Sequence, residues 1–83
     1  MEPVLNAKPL SEIKTGNQAI LRSITVGRDL TSRLTSLGLT PGASLEMLQN
    51  YGRGPLIVSV RGTHVAIGRG EAAKLLVEEE PHP

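Results

Sequence analysis

From Leu56 to Ile67 the chain reads LIVSVRGTHVAI, two Val- and Ile-rich runs of alternating apolar and polar residues split by a glycine. Period-two alternation is what a strand needs to bury one face, and Gly62-Thr63 matches the Gly-X pattern of a two-residue hairpin. With residues 62 and 63 as the loop, Val60 pairs with Val65 and Val58 with Ile67, so four β-branched side chains share one face. Arg61 opposite His64 and Ser59 opposite Ala66 then make the other face.

The rest of the chain is punctuated in the same manner. Residues 1–8 show little periodicity and read as an N-terminal arm. In PLSEIKTG (9–16), Ser11 is a candidate cap, Leu10 and Ile13 face inward, and Gly16 stops a single helical turn. NQAILRSITV (17–26) reads as a strand, yet Ile20, Leu21 and Ile24 do not fall on one face, which predicts a bulge or bend. Leu30, Leu34 and Leu37 recur at i, i+4, i+7 and define one amphipathic helix, with Asp29 near its positive end and Gly38 as its left-handed stop. Thr40-Pro41-Gly42 suits a type II turn, and ASLEMLQN (43–50) follows as a strand with Ala43, Leu45 and Met47 on one face. YGRGP (51–55) is a turn cluster, GEAAKL (70–75) allows one short helical turn, and LLVEE (75–79) reads as a closing strand. Residues 9–79 thus form the domain, and 80–83 a disordered tail. The fold class is mainly β, with four or five short strands and one helix after the first. Turns at such close intervals favour a small closed barrel over a sandwich, because closure leaves fewer unpaired edges.

Eighty-three residues leave room for one domain, which at this size buries only about 60% of the surface its unfolded chain exposes. There is no cysteine, so neither a disulfide framework nor a thiolate metal site can hold it together; 12 Leu, 6 Val and 5 Ile supply most of the core volume. No apolar run approaches the roughly 18 residues of a membrane-spanning helix, and the first 20 residues lack a secretory pattern, so the cytoplasm is the expected location. All nine Lys and Arg lie between Lys8 and Lys74, while Glu78, Glu79 and Glu80 close the chain as what reads as a solvated acidic end.

Groups that make or break bonds are missing from this pattern. His82 lies between two prolines, and His64 faces solvent on the hairpin with no His or carboxylate at i+2 or i+4 to share a metal. The acidic residues before the tail are scattered singly, and no Ser or Thr is paired with a histidine base. The Gly-rich GRGP lacks the strand-to-helix context and Lys-Ser/Thr pair of a phosphate loop. An enzyme is therefore excluded, with no catalytic residue, no metal ligand and no cofactor expected. The arginines Arg22, Arg28, Arg33, Arg53, Arg61 and Arg69 raise RNA binding, but Tyr51 is the sole aromatic, and stacking platforms use several. What remains is docking on another protein through an aliphatic and arginine-bearing surface.

The run RLTSLGLTPG (33–42), together with VSVRGTHVAIGRGEAAKLLV (58–77) and the opening PLSEIKTGNQAIL (9–21), resembles the FeoA family of ferrous iron transport accessory proteins over about residues 9–78. Each residue of the run also has a local reason: Leu34 and Leu37 bury, Gly38 stops the helix, and Pro41-Gly42 turns the chain. The resemblance implies an SH3-like barrel. It further implies a cytosolic role beside FeoB, a membrane permease whose cytosolic portion hydrolyses GTP and which carries Fe(II) inward. The same domain ends iron-dependent repressors, but the chain has no room for a winged-helix domain, so the free-standing reading is preferred. For the partner-facing surface the candidates are Tyr51 and Arg53 in the turn cluster, then Arg33 on the helix and Arg61 on the hairpin. Contact with a membrane is expected only through the permease, nucleic acid is not an expected partner, and a weak homo-oligomer is compatible with the sequence. The alternative reading is a metal-responsive regulatory domain in which His64 and acidic groups bind Fe(II) or Zn(II), across a dimer if need be.

Overall fold

The computed structural model describes residues 7–25 and 27–80. Six strands form one antiparallel sheet: β1 (Ala7–Pro9), β2 (Gln18–Ile24), β3 (Ser44–Gln49), β4 (Leu56–Val60), β5 (Thr63–Ile67) and β6 (Leu75–Glu79). A 3-10 turn at Leu10–Glu12 follows β1, helix α1 (Arg28–Ser36) follows β2, and the short α2 (Arg69–Ala72) follows β5. In space the strands run β1-β6-β2-β3-β4-β5. The ladder does not join β5 back to β1, so the closed barrel expected from the spacing of turns is in fact a curled, open sheet with two edges. It also carries one strand more than the five expected, because the three residues of β1 pair with β6.

The interior is aliphatic. Leu10, Leu21, Leu34, Met47, Leu56 and Ile67 are among its fully buried members, and no polar or charged residue among those described is buried. Alternation along β4 and β6 puts Leu56, Val58 and Val60, then Leu75 and Val77, on the inner face. The imperfect pattern of β2 has its physical reason in a bulge: the register against β6 shifts between Leu21 and Ser23. Leu21 is thereby buried while Ile20 and Ile24 are half-buried.

Two local expectations change. The hairpin loop is Arg61-Gly62, with Val60 opposite Thr63, Val58 opposite Val65 and Ser59 opposite His64. Arg61 (φ 51°) and Gly62 (φ 79°) are both left-handed, as a type I′ turn requires. This register differs from the expected one by two residues, and because side chains alternate with period two every residue keeps its face. The face pattern therefore cannot separate the two registers. Ser11 does not cap the first turn; Pro9 occupies the cap position with no side-chain hydrogen bond. On α1, Leu34 is buried, whereas Leu37 lies at the C-terminal cap and is 38% exposed; Leu39, past the stop, takes the inward place. Gly38 (φ 96°) is the left-handed stop expected, and the Ala43 amide donates to the Thr40 carbonyl (2.9 Å) across Pro41-Gly42.

Candidate functional site

Tyr51 is the most exposed large apolar side chain described, at 73%, and it shares the β3–β4 loop with exposed Arg53. That loop is anchored by its neighbour Asn50. The Asn50 carboxamide nitrogen donates to the carbonyls of Ser11 (2.9 Å) and Ile13 (2.7 Å). Its oxygen accepts from the Arg69 guanidinium (2.8 Å) and the Gly52 amide (3.2 Å). The Asn50 amide also donates to the Thr15 hydroxyl (2.9 Å). Arg69 donates a further bond to the Gly54 carbonyl (3.2 Å), so α2 clamps the far side of the loop. Composition marks 51–55 as a turn but gives no hint of Asn50 as its anchor; the one local signal is an Asn two residues ahead of a glycine.

Arg33 on α1 reaches α2 from the other direction, donating to Glu71 Oε1 (2.6 Å). Glu71 Oε1 also accepts from the Gly68 amide (3.3 Å), the backbone-directed half of a capping box. The Arg33 hydrogen bond holds the Glu71 carboxyl below its ordinary range, with smaller help from the Gly68 amide and from Lys74, against some desolvation. Arg33, Tyr51 and Arg53 are thus linked through α2 and its Arg69. Arg61 is elsewhere: it lies past the other end of β4, about 20 Å from Pro55 along an extended strand. Its side chain lies over Gly38, where a Cβ would come within 3.1 Å of Arg61 Cδ. The four sequence candidates therefore form two surfaces, not one.

The acidic end is not simply solvated. Glu78 is paired with Arg22, and Glu79 with Lys8 (3.1 Å) and the Asn17 carboxamide. Glu80 accepts from the Ser44 hydroxyl (3.0 Å), while its amide donates to the Gln18 carbonyl (2.8 Å). Alternation along β6 sends neighbouring carboxylates to opposite faces, and each is taken up by a different strand. Among the described residues no three His, Cys, Asp or Glu side chains gather as metal ligands. His64 is exposed on β5 and faces Ser59, not Arg61; His82 lies outside the described residues. No described helix is long and apolar enough to cross a membrane.

A curled sheet of six short antiparallel strands, one helix between the second and third, and an apolar interior without buried polar groups together define a small SH3-like domain. Residues 8–79 match the FeoA domain, and the chain belongs to the FeoA family of iron transport accessory proteins. It is 39% identical over 71 residues to an Fe(2+) transport protein A of Methanocaldococcus jannaschii, covering 86% of this chain and 85% of that one. Among solved structures it resembles an iron uptake regulatory protein, FeoA, with a TM-score of 0.83 at 39% identity, covering 89% of this chain and 99% of the other. Zinc-complexed FeoA of Stenotrophomonas maltophilia, described as a procaryotic SH3 domain protein, superposes with a TM-score of 0.74 at 28% identity over 84% of this chain and 88% of that one. The fold alone is shared with IdeR of T. acidophilum (TM-score 0.83, 21% identity), where 96% of this chain matches 37% of that one.

Proposed function

We propose that this protein is a non-enzymatic, cytoplasmic accessory factor that docks on the cytosolic portion of a FeoB-type iron permease. The observation that carries the reading is membership of the FeoA family across residues 8–79 in a domain whose described interior holds no polar or charged side chain. Function then resides on the surface, and the exposed loop bearing Tyr51 and Arg53, held in place by Asn50 and Arg69, is the primary contact. Arg33 borders it through Glu71, and Arg61 offers a second contact at the opposite end of β4. Rigid anchoring of an exposed aromatic favours docking, because little conformational entropy is lost on binding. The test is capture of the permease's cytosolic portion by the full chain, with and without guanine nucleotide. Failure to capture it in either state sinks the reading.

A metal-responsive role is the competing reading, favoured by the zinc complex of the Stenotrophomonas maltophilia relative. Here His64 would need ligands from a second copy, since no ligand cluster forms among the described residues. Anaerobic calorimetry separates the two: tight, stoichiometric Fe(II) binding that His64→Ala abolishes would support the metal role.

A further inference from the structure

The sheet has two edges, and they are not alike. On β1 the edge is, among the described residues, three long and ends in Pro9, which has no amide hydrogen to offer. On β5 it is five residues long and carries no proline, no lysine and no acid. Flanking a two-residue loop, Val60 and Thr63 exchange both of their hydrogen bonds, and so in turn do Val58 with Val65 and Leu56 with Ile67. The backbone N–H and C=O of His64 and Ala66 therefore point away from β4. No described residue pairs with them. Both residues are exposed. None of the usual devices against strand addition (an edge charge, a proline or a bulge) guards this side.

Charge adds the second half of the case. From Met47 to Gly70, the stretch that contains β4, β5 and both of their flanking turns, there are three arginines, Arg53, Arg61 and Arg69, and no Asp or Glu. Arg61 stands at the start of β5, Arg69 just past its end, and Arg53 is in the loop that Arg69 holds. Among the described residues none of the three is paired with a carboxylate. We propose that the free edge of β5 accepts an extended, acidic segment of the partner protein as an added strand, paired to His64 and Ala66 and flanked by Arg61 and Arg53. A second copy of this chain is disfavoured: a two-fold pairing centred on Val65 would set Arg61 against Arg69 of the other copy. A phosphodiester group offers acceptors but no donors and repeats at a spacing unlike a strand's, whereas the edge presents alternating N–H and C=O groups that an extended peptide matches. This deepens the docking reading and rests on it for the partner's identity.

The probe is a fluorescein-labelled nine-residue peptide with a Val-Thr-Val-Thr-Val centre and two glutamates at each end, titrated into the full chain by anisotropy. Binding should weaken with salt and fall about tenfold for Ala66→Pro, which removes one outward N–H while leaving every bond to β4 intact. If Ala66→Pro fails to fold, a peptide N-methylated at alternate residues takes its place and should lose binding to the wild-type chain by a similar factor. Exchange of the His64 and Ala66 amides should be fast in the free protein and slowed by the peptide. The inference is overturned if those amides are already protected, if the N-methylated peptide binds as well, or if poly(U) RNA binds in preference. Capture of the permease portion by Ala66→Pro at the wild-type level would overturn it while leaving the docking reading standing. Peptide binding without capture of the permease by the wild-type chain would leave the strand edge standing and remove the partner.

Discussion

Replacing Asn50 with alanine removes four hydrogen bonds made by one half-buried carboxamide: two donated to the Ser11 and Ile13 carbonyls and two accepted from Arg69 and Gly52. Each net bond is worth about 1 kcal/mol, and a partly buried group left without a partner costs more than that. Arg69 and the Gly52 amide can turn to water, but the two carbonyls are part-buried and lose their donor. The expected loss is therefore about 2–3 kcal/mol, against a total stability of roughly 4–12 kcal/mol for a domain of this length. Urea denaturation of both proteins, compared at equal m-value, measures it. Asn50→Asp divides the effect, since it keeps the acceptor facing Arg69 and Gly52 but sets a carboxylate against two carbonyl oxygens. It should recover little. A loss under about 0.5 kcal/mol for Asn50→Ala, the size of an ordinary surface substitution, would refute the reasoning. Full recovery by Asn50→Asp would show that Arg69, not the two carbonyls, is what Asn50 holds.

Arg61→Asn places at a left-handed position (φ 51°) a residue suited to it, and should stabilise the hairpin by about 0.5–1 kcal/mol in a thermal melt; a fall in Tm would mean that the Arg61 contact over Gly38 outweighs the strain. Gly38→Ala should cost about 1–2 kcal/mol for its positive φ, and less when Arg61→Gly removes the side chain its Cβ would meet, a coupling that a double-mutant cycle reads. Because Arg33 lowers the folded-state pKa of Glu71, its stabilising effect is present above the unfolded carboxyl value of about 4.3 and is lost as pH falls through the lower folded value. The stability gap between wild type and Glu71→Gln should narrow over that acidic window, and a gap constant between neutral and strongly acidic pH would contradict it.

Local chemistry alone placed most of this fold. Leu30, Leu34 and the Gly38 stop specify α1, Pro41-Gly42 specifies its turn, and the alternation in β3, β4 and β5 assigns their inner faces, because each of these rests on neighbours a few residues apart. Family membership was legible in RLTSLGLTPG for the same reason: these are mostly residues a fold needs locally. What the sequence could not decide depends on distant partners. The hairpin register was degenerate because a two-residue shift preserves every face, and a left-handed arginine broke the tie. The expected closure failed because pairing β5 with β1 is a matter of how far the sheet curls, which no local pattern encodes. The acidic end read as solvated because Lys8, Arg22 and Ser44, which hold it, are between 36 and 71 residues away in the chain. Asn50 read only as the last residue of a strand because its partners, Ser11, Ile13 and Arg69, meet it only once the strands have assembled. Turn signals and periodicity report short-range sterics, while hydrogen-bond anchors and free edges are properties of elements brought together.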